Sequence, residues 1–388
     1  MNILVQLSHP AHFHLYKNAI KNWQDHGHQV HVLIKTKDIL EELCQNSQIP
    51  YYNILPIAHR KNKIGVLWDM VVRDWKILGF SIKHKINILS GSTPEVAHVS
   101  RLLGRYSVNT GEDDIAVVPA FAKIAGPFMQ TLLSPVVCDN TPLEKHTVHY
   151  PSYHELSYLH PNHFTASREV VESYGIDTSK PYFILRFASL NAHHDDGIKG
   201  INTQVAQRLV DILSPHGQIY ITSERELEPQ FEPYRIRINP LDMHHVMAFA
   251  SLYIGDSQTM AAEAGVLGTP FVRFNDFVGR IGYLRELEDV YQLGYGIHAS
   301  VLTDDSTIRR NDGTLQPNGL EALYATVKQL VTMPSEERKA LFSSRREKML
   351  ADKIDYAKFL TWFIENYPQS VQETKNNDVN SNFWQQFK

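Results

Sequence analysis

Ser257 and Glu263 stand six residues apart in Gly255–Pro270 (GDSQTMAAEAGVLGTP), a stretch otherwise dominated by small and apolar residues. The pattern reads as a strand end, a turn, and a helix with Ser257 at its mouth. A serine at an N-cap satisfies orphan backbone N–H groups, and the same N–H groups together with the hydroxyl can hold a phosphate. Six helical residues cover about 9 Å, about the reach from a nucleotide's distal phosphate to its ribose hydroxyls. A carboxylate accepts two hydroxyl hydrogen bonds, so Glu263 is a candidate ribose ligand. The competing readings are a plain cap for Ser257 and a solvated helix face for Glu263.

Histidines supply the second group. The chain has 20, with His9, His12 and His14 crowded into SHPAHFHLYK, where a first strand meets a first helix. An imidazole titrating near neutrality is a sensible general base for an acceptor hydroxyl, and His12 or His9 is the candidate. Capping or packing is the alternative for at least two of the three. A His-x-x-His-x-His metal site lacks a nearby acidic partner. LRFASLNAHHDDGIKG carries Arg186 at the carboxyl end of a strand, where it could neutralise a departing diphosphate. The polar run His193, His194, Asp195 and Asp196 has too few ligands for a paired metal centre and reads as a cleft loop. With no Asp-x-Asp in the chain, a metal-independent donor site is expected. Asn275, Gly279 and Arg280 follow one strand, and Ser223 and Glu224 another. All are placed to line a nucleotide pocket, or to be ordinary loop residues.

These residues need elements to position them. In the first half, Ile3–Leu7, Val30–Ile34, Tyr52–Leu55, Ile86–Leu89, Tyr106–Asn109 and Gln130–Leu133 read as strands. Helical patterns at Ala11–Asp25, Asp38–Gln45, Ile64–Phe80, Pro94–Leu103 and Ile115–Ala125 alternate with them. Residues 140–166, rich in Pro, His and Tyr, read as a connection. The alternation restarts with strands at Tyr182–Phe187, Ile219–Thr222, Leu252–Ile254 and Phe271–Phe274, and helices at Thr203–Leu213, Met243–Ala250 and Thr259–Leu267. Such alternation predicts parallel sheets covered on both faces. The fold expected is therefore α/β, two facing Rossmann-like domains with a C-terminal helical region over Pro334–Tyr367. Ligands of such sheets lie beyond the carboxyl ends of the strands. The boundaries expected are 1–160, 161–367, and a mobile polar tail at 368–388.

Composition narrows the classes. At 43% hydrophobic and 21% charged residues, the 388-residue chain is that of a soluble globular protein of about two domains. A net charge of −4 gives no case for nucleic-acid binding. Two distant cysteines, Cys44 and Cys138, suit a reducing cytoplasm. MNILVQLSHP lacks the features of a signal peptide, and no window reaches the roughly 20 apolar residues of a membrane span. His59–Lys85 interleaves basic residues with Trp68, Trp75, Leu67, Ile77, Leu78 and Phe80. That pattern suits either core packing or a peripheral surface for anionic lipid.

Asn239–Phe274 resembles the C-terminal nucleotide-binding segment of GT-B-fold enzymes, the nonhydrolysing UDP-N-acetylglucosamine 2-epimerases in particular. They share a strand, Asp-Ser, a glutamate six residues after the serine, and Leu-Gly-x-Pro. The resemblance implies distal phosphate at Ser257 and ribose at Glu263. SHPAHFHLYKNAI, GHQVHVL, ELSYLHP, LRFASLNAHHDDGIKGI, ITSE, GDSQTMAAEAGVLGTP and RFNDFVGRIGYLRELE together resemble the bacterial and archaeal family called domain of unknown function 354. That family is expected to have the GT-B fold and has no established chemistry. The epimerases carry a carboxylate in a Gly-Asp turn and another in His-x-Glu-Ala-Gly. Here LSGSTPEVAH puts Ser92 at the first place, and VNTGEDD offers Glu112, Asp113 and Asp114 near the second. These departures favour glycosyl transfer over epimerisation. The expectation is a nucleotide-sugar-dependent glycosyltransferase, without a cofactor, using a UDP-linked donor and a glycan or lipid-linked acceptor in cell-surface polysaccharide or glycolipid assembly. It would be cytoplasmic or peripheral at the inner membrane face. A 2-epimerase-like isomerase and a non-catalytic nucleotide- or glycan-binding protein are the alternatives.

Overall fold

A computed structural model describes residues 1–56, 63–188, 200–301, 310 and 313–388. The chain forms two compact units, Met1–His163 with Lys353–Lys388, and Phe164–Asp352.

The first unit is built on β1 (Asn2–Leu7), α1 (Pro10–Asp25), β2 (Gln29–Lys35), α2 (Leu40–Asn46), β3 (Tyr51–Leu55), α3 (Lys63–Lys83), β4 (Ile88–Gly91), α4 (Pro94–Leu103), β5 (Tyr106–Thr110), α5 (Pro119–Ala125), β6 (Thr131–Pro135) and β7 (Thr147–Tyr150). Its seven strands lie in the order β3-β2-β1-β4-β5-β6-β7, and every pair is parallel. The order reverses between β1 and β4, which is where such sheets bind ligands. Gly91 ends β4 there, because a Cβ would stand 2.7 Å from the Gln6 carbonyl oxygen. The inner stripe of α3 packs Ile77 with Leu4, Leu33, Leu89 and Val96. Its outer face leaves Leu67, Trp68, Val71, Trp75 and Ile82 exposed. The helix expected from Ile115 starts only at Pro119, where proline's missing N–H costs nothing. The stretch expected to be a connection contains β7.

The second unit runs α6 (Arg168–Ser173), β8 (Tyr182–Phe187), α7 (Thr203–Leu213), β9 (Gln218–Ser223), α8 (Met243–Phe249), β10 (Leu252–Gly255), α9 (Gln258–Leu267), β11 (Phe271–Asn275), α10 (Gly282–Arg285), β12 (Gly294–His298), α11 (Gly319–Thr332) and α12 (Ser335–Asp352). Its parallel sheet has the order β12-β11-β10-β8-β9, with the reversal between β8 and β10. Leu185, Phe187, Leu209, Leu213, Phe274, Leu323 and Val327 form its core. Arg273 and Glu288 are buried together, with Arg273 Nη2 donating to Glu288 Oε1 at 2.8 Å.

The C-terminal boundary departs from expectation. Lys353–Lys388, including α13 (Tyr356–Glu365) and α14 (Gln369–Lys375), belongs to the first unit. Asn22 Nδ2 of α1 donates to Thr361 Oγ1 at 3.1 Å, and Trp23 Nε1 to the Thr361 carbonyl at 3.3 Å. Asp355, the N-cap of α13, also accepts from Asn162 Nδ2 and His163 Nε2 at 3.0 and 2.9 Å. The segment expected to be a polar tail ends in a 3-10 turn whose Trp384 and Phe387 are buried, one tilted against Phe359 and the other edge-on to it. Apolar burial, set by two aromatics in a polar sequence, holds it down. Among the described residues no helix is long and apolar enough to cross a membrane.

Candidate functional site

In the second unit, β10 delivers the chain to the reversal point with Asp256 and Ser257 at its carboxyl end. Ser257 caps α9, its Oγ accepting from the Met260 N–H at 3.5 Å, and it is half-buried. One turn deeper the helix is lined by Ala261, Ala262, Ala264 and Gly265, all buried. Small residues are what lets α9 lie close to β11, since a Cβ on Gly265 would meet the Phe271 ring at 2.8 Å. Glu263 is not on a solvated face. It is 5% exposed, and its Oε1 accepts from His244 Nε2 of α8 at 3.0 Å. A buried carboxylate needs a partner, and the fold supplies one that the α9 sequence alone did not reveal. His244 was visible only as part of a His-His pair.

Asp256 bonds the residue that follows β8 and a residue just ahead of α7. Its carboxylate accepts from the Ala188 N–H at 2.7 Å and the Ile201 N–H at 3.2 Å. Burial lifts its pKa to about 6 against the pull of those two N–H groups. His193, His194, Asp195 and Asp196 lie outside the described residues.

Three expected pocket residues are spent on the scaffold. Asn275 is fully buried; its Nδ2 donates to the Asp256 carbonyl at 2.9 Å and its Oδ1 accepts from the Phe277 N–H at 2.9 Å. It fixes the β10 and β11 ends relative to each other. Ser223 folds back on a turn, its Oγ donating to the Arg225 carbonyl at 2.7 Å and accepting from the Arg225 N–H at 3.1 Å. Arg186 is paired with Glu224 across the ends of β8 and β9. Arg280 follows Gly279, whose φ is 84°, and is exposed.

In the first unit, titratable groups gather at the carboxyl ends of β1, β5 and β7. His9 is exposed and caps α1, its Nδ1 accepting from the Ala11 N–H at 3.2 Å. It takes the capping role that had been the alternative. His14 is buried against Phe13 and Tyr158. His12 is different. Its Nδ1 lies 3.2 Å from Ser8 Oγ, and its pKa is held well below the usual value by burial first, then by His9, His154 and Lys35. At neutral pH the ring is uncharged.

Glu112, just past β5, accepts the His154 N–H on Oε1 at 2.7 Å, and its Oε2 lies 3.3 Å from His154 Nδ1. Burial and the nearby Glu155 push its pKa well above the carboxylate range. Burial drives His154 down to about 3, and His154 Nε2 is buried without a hydrogen-bond partner among the described residues. The structure thus groups His12, His154 and Glu112. His154 was missed because it sits in the Pro-, His- and Tyr-rich stretch that showed no periodicity. Its ELSYLHP neighbourhood was the only signal.

No protein-family model matches the chain, and no curated protein matches it. Solved structures do. A spinosyn forosaminyltransferase is 12% identical, with 96% of this chain and 99% of that one covered, at a TM-score of 0.60. A UDP-GlcNAc 2-epimerase from Neisseria meningitidis bound to UDP-GlcNAc is 11% identical, with 96% and 100% covered, at 0.62. A spinosyn rhamnosyltransferase complexed with spinosyn aglycone is 14% identical, with 94% and 100% covered, at 0.57. Likeness over whole chains at such low identity speaks for architecture. The two parallel-sheet α/β units with returning C-terminal helices have the fold of the GT-B glycosyltransferases and UDP-GlcNAc 2-epimerases.

Proposed function

We propose that this protein is a metal-independent, nucleotide-sugar-dependent glycosyltransferase of the domain-of-unknown-function-354 group, using a UDP-linked donor on the cytoplasmic side of cell-surface polysaccharide or glycolipid assembly. The observation that carries this reading is α9, which starts at the sheet reversal with Ser257 at its cap and holds Glu263 six residues on, buried and braced by His244. The N-terminal N–H groups and dipole of α9 receive the diphosphate, and Glu263 receives the ribose hydroxyls. In the transfer step the acceptor oxygen bonds to the anomeric carbon as the bond from that carbon to the diphosphate oxygen breaks. The acceptor proton passes through Ser8 Oγ to His12 Nδ1, and the nucleoside diphosphate leaves carrying the bonding pair. The names of the structural neighbours, two glycosyltransferases and an epimerase, support the class of donor. A thermal-shift series with UDP, GDP, CMP and their sugars tests it: UDP compounds are expected to raise the melting temperature, and a flat response to all of them would defeat the reading.

A second reading rests on His154, whose Nδ1 lies 3.3 Å from Glu112 Oε2 and whose buried Nε2 has no hydrogen-bond partner among the described residues. A carboxyl group that holds its proton, next to a neutral imidazole, is the acid–base equipment for moving the C2 proton of a UDP-sugar. UDP-GlcNAc incubated alone in deuterated water separates the two, because only an epimerase-like enzyme incorporates deuterium at C2 without an acceptor.

A further inference from the structure

The second unit contains a cavity of about 450 Å³ where α7 ends and β9 begins. Ser214, the C-cap of α7, and Gln218, the first residue of β9, line it. So do Tyr220 of β9, Tyr174 at the end of α6, and Tyr234 and Arg235 at the close of a 3-10 turn, Pro229–Tyr234. The strands of this sheet are parallel, so the amino end of β9 is the end of the sheet away from Ser257, which follows the carboxyl end of β10. The volume is within the range of small-molecule sites.

The lining is aromatic, polar and without net charge. Arg235 is its one charged residue among the described residues, and Glu232 neutralises it, accepting from Arg235 Nε on Oε2 at 2.8 Å and from Nη2 on Oε1 at 2.7 Å. The Tyr174 hydroxyl is committed, donating to Asp242 Oδ2 at 2.7 Å and accepting from the Asn239 N–H at 3.1 Å. Ser214 and Gln218 are exposed and bring a hydroxyl and an amide, each both donor and acceptor. The backbone adds more. The Gln218 and Glu224 N–H groups bond to Pro181 and Phe187 on the β8 side, whereas the Ile221 carbonyl accepts from the Ile236 N–H at 3.1 Å on the open side. By the alternation of a parallel ladder, Ile219 turns its N–H and carbonyl to that same side. β9 is the edge of the sheet there, and Ile219 lines the cavity. Finally, the Tyr220 hydroxyl is buried and has no hydrogen-bond partner among the described residues. Such a group costs free energy that a ligand hydroxyl would recover.

We propose that this cavity is a binding site for a neutral saccharide, separate from any nucleotide seat. A pyranose has apolar C–H faces and a rim of hydroxyls. Tyrosine supplies large amphipathic surface for the first, and the Ser214 hydroxyl, the Gln218 amide, the Ile219 backbone and the Tyr220 hydroxyl supply donors and acceptors for the second. With its guanidinium already neutralised, the lining does not select for a phosphate or a nucleotide. The inference goes beyond the glycosyltransferase reading and does not rest on it. Under that reading the cavity holds a sugar of the growing chain at the end of the sheet away from the transfer step.

The test is saturation-transfer difference NMR on the full-length protein with glucose, galactose, mannose and N-acetylglucosamine, each free and as its methyl glycoside. At least one is expected to receive saturation and to titrate with a millimolar dissociation constant. Ser214→Trp, at the exposed rim, should abolish the transfer. Should that variant not fold, Gln218→Ala takes its place and should weaken affinity by about 3- to 10-fold, the worth of one hydrogen bond. Tyr220→Phe should weaken it by about the same factor while the melting temperature of the free protein holds or rises, because the hydroxyl removed has no partner in the fold. A merely structural hydroxyl would show the reverse pattern. No transfer to any of the sugars overturns the proposal, and so does transfer at full strength in the rim variant and in Tyr220→Phe, which would put the binding elsewhere. A glycoside that binds at least as well as its free sugar marks a chain residue as the ligand, and preference for the free sugar marks a small metabolite; both keep the site. UDP thermal shifts on the same variants should match the unaltered protein. A UDP response without saccharide transfer removes this inference alone, whereas saccharide transfer without any UDP response leaves it standing and removes the donor reading.

Discussion

The carboxyl ends of the two sheets are built alike and equipped differently. In the second unit three of the polar side chains there are committed: Asn275 to the backbone of Asp256 and Phe277, Ser223 to Arg225, and Glu263 to His244. In the first unit the corresponding residues carry displaced proton affinities. His12 and His154 are held neutral, Glu112 holds its proton, and Lys35 is lowered to about 8. Committed hydrogen bonds make a rigid seat, which suits the gripping of a nucleotide. Buried titratable groups with displaced proton affinities are what candidate proton-transfer sites collect. The proposed reading gives holding to one sheet end and reaction to the other.

The largest effect that would break this division belongs to His12. His12→Ala should lower the transfer rate by about 10²–10⁴-fold, the ordinary worth of a positioned base, while UDP affinity stays within about twofold. Single-turnover kinetics alongside a UDP titration checks both halves. Weakened UDP binding with little change in rate would move His12 to the gripping side.

The next effect is a contrast in acid response. Asp256 has a folded pKa of about 6, raised by burial above its unfolded value. A raised carboxyl favours the protonated fold, so its contribution is full below about pH 4 and is lost as pH rises through 6, by about 3 kcal/mol. His154 runs the other way. Its folded pKa of about 3 lies below the unfolded value, so its contribution is present above about pH 6.5 and is lost as pH falls through the window down to 3. Urea unfolding between pH 4 and 7 should show Asp256→Asn flattening the first slope and His154→Gln the second. Slopes matching the unaltered protein in both variants would erase the contrast.

Glu263→Gln comes third. Glutamine keeps an acceptor for His244 but loses the charge, and hydrogen bonds to a charged group contribute about 1.5–3 kcal/mol. UDP affinity should fall by about 10- to 100-fold with the melting temperature of the free protein little changed. An unchanged dissociation constant would leave Glu263 as a packing residue and take the ribose elsewhere.

How much of this was readable depended on whether a residue's job was local. Ser257 at a cap and Pro94 at a first turn announce themselves, because capping is decided within four residues. β12 (GYGIH) gave no strand signal, and its glycines are there for tertiary reasons. A Cβ on Gly294 would stand 2.3 Å from the Phe271 ring, and one on Gly296 would stand 2.4 Å from Glu288 Oε2. Those contacts come from β11 and from the buried Arg273–Glu288 pair, which no window around residue 295 contains. β7 (TVHY) was hidden because His149 and Tyr150 interrupt any apolar run. The return of Lys353–Lys388 to the first unit was invisible because amphipathic helices look the same whichever sheet they cover. The bonds from Asn22 and Trp23 to Thr361 cross more than 300 residues. The site followed the same rule. His12 and Glu112 are singled out by motif position, as is His9, which caps α1, but His154 and His244 acquire meaning only beside partners brought in from other elements.

The smallest effect is the sharpest check on what commitment means in the second unit. Asn275 and Arg280 are five residues apart after the same strand, and both read as pocket residues in the sequence. Asn275 is fully buried and bonded on both ends of its amide. Arg280 is exposed beyond a turn closed by its own N–H to the Phe277 carbonyl at 3.0 Å. Arg280→Ala removes a solvated side chain and leaves that backbone bond in place, so stability should move by no more than about 0.5 kcal/mol and UDP affinity should not move. A loss of UDP affinity in isothermal titration, with stability intact, would put the guanidinium on the diphosphate. The second sheet end would then contain an uncommitted charge that acts only when ligand arrives, and its rigidity would no longer distinguish it from the first.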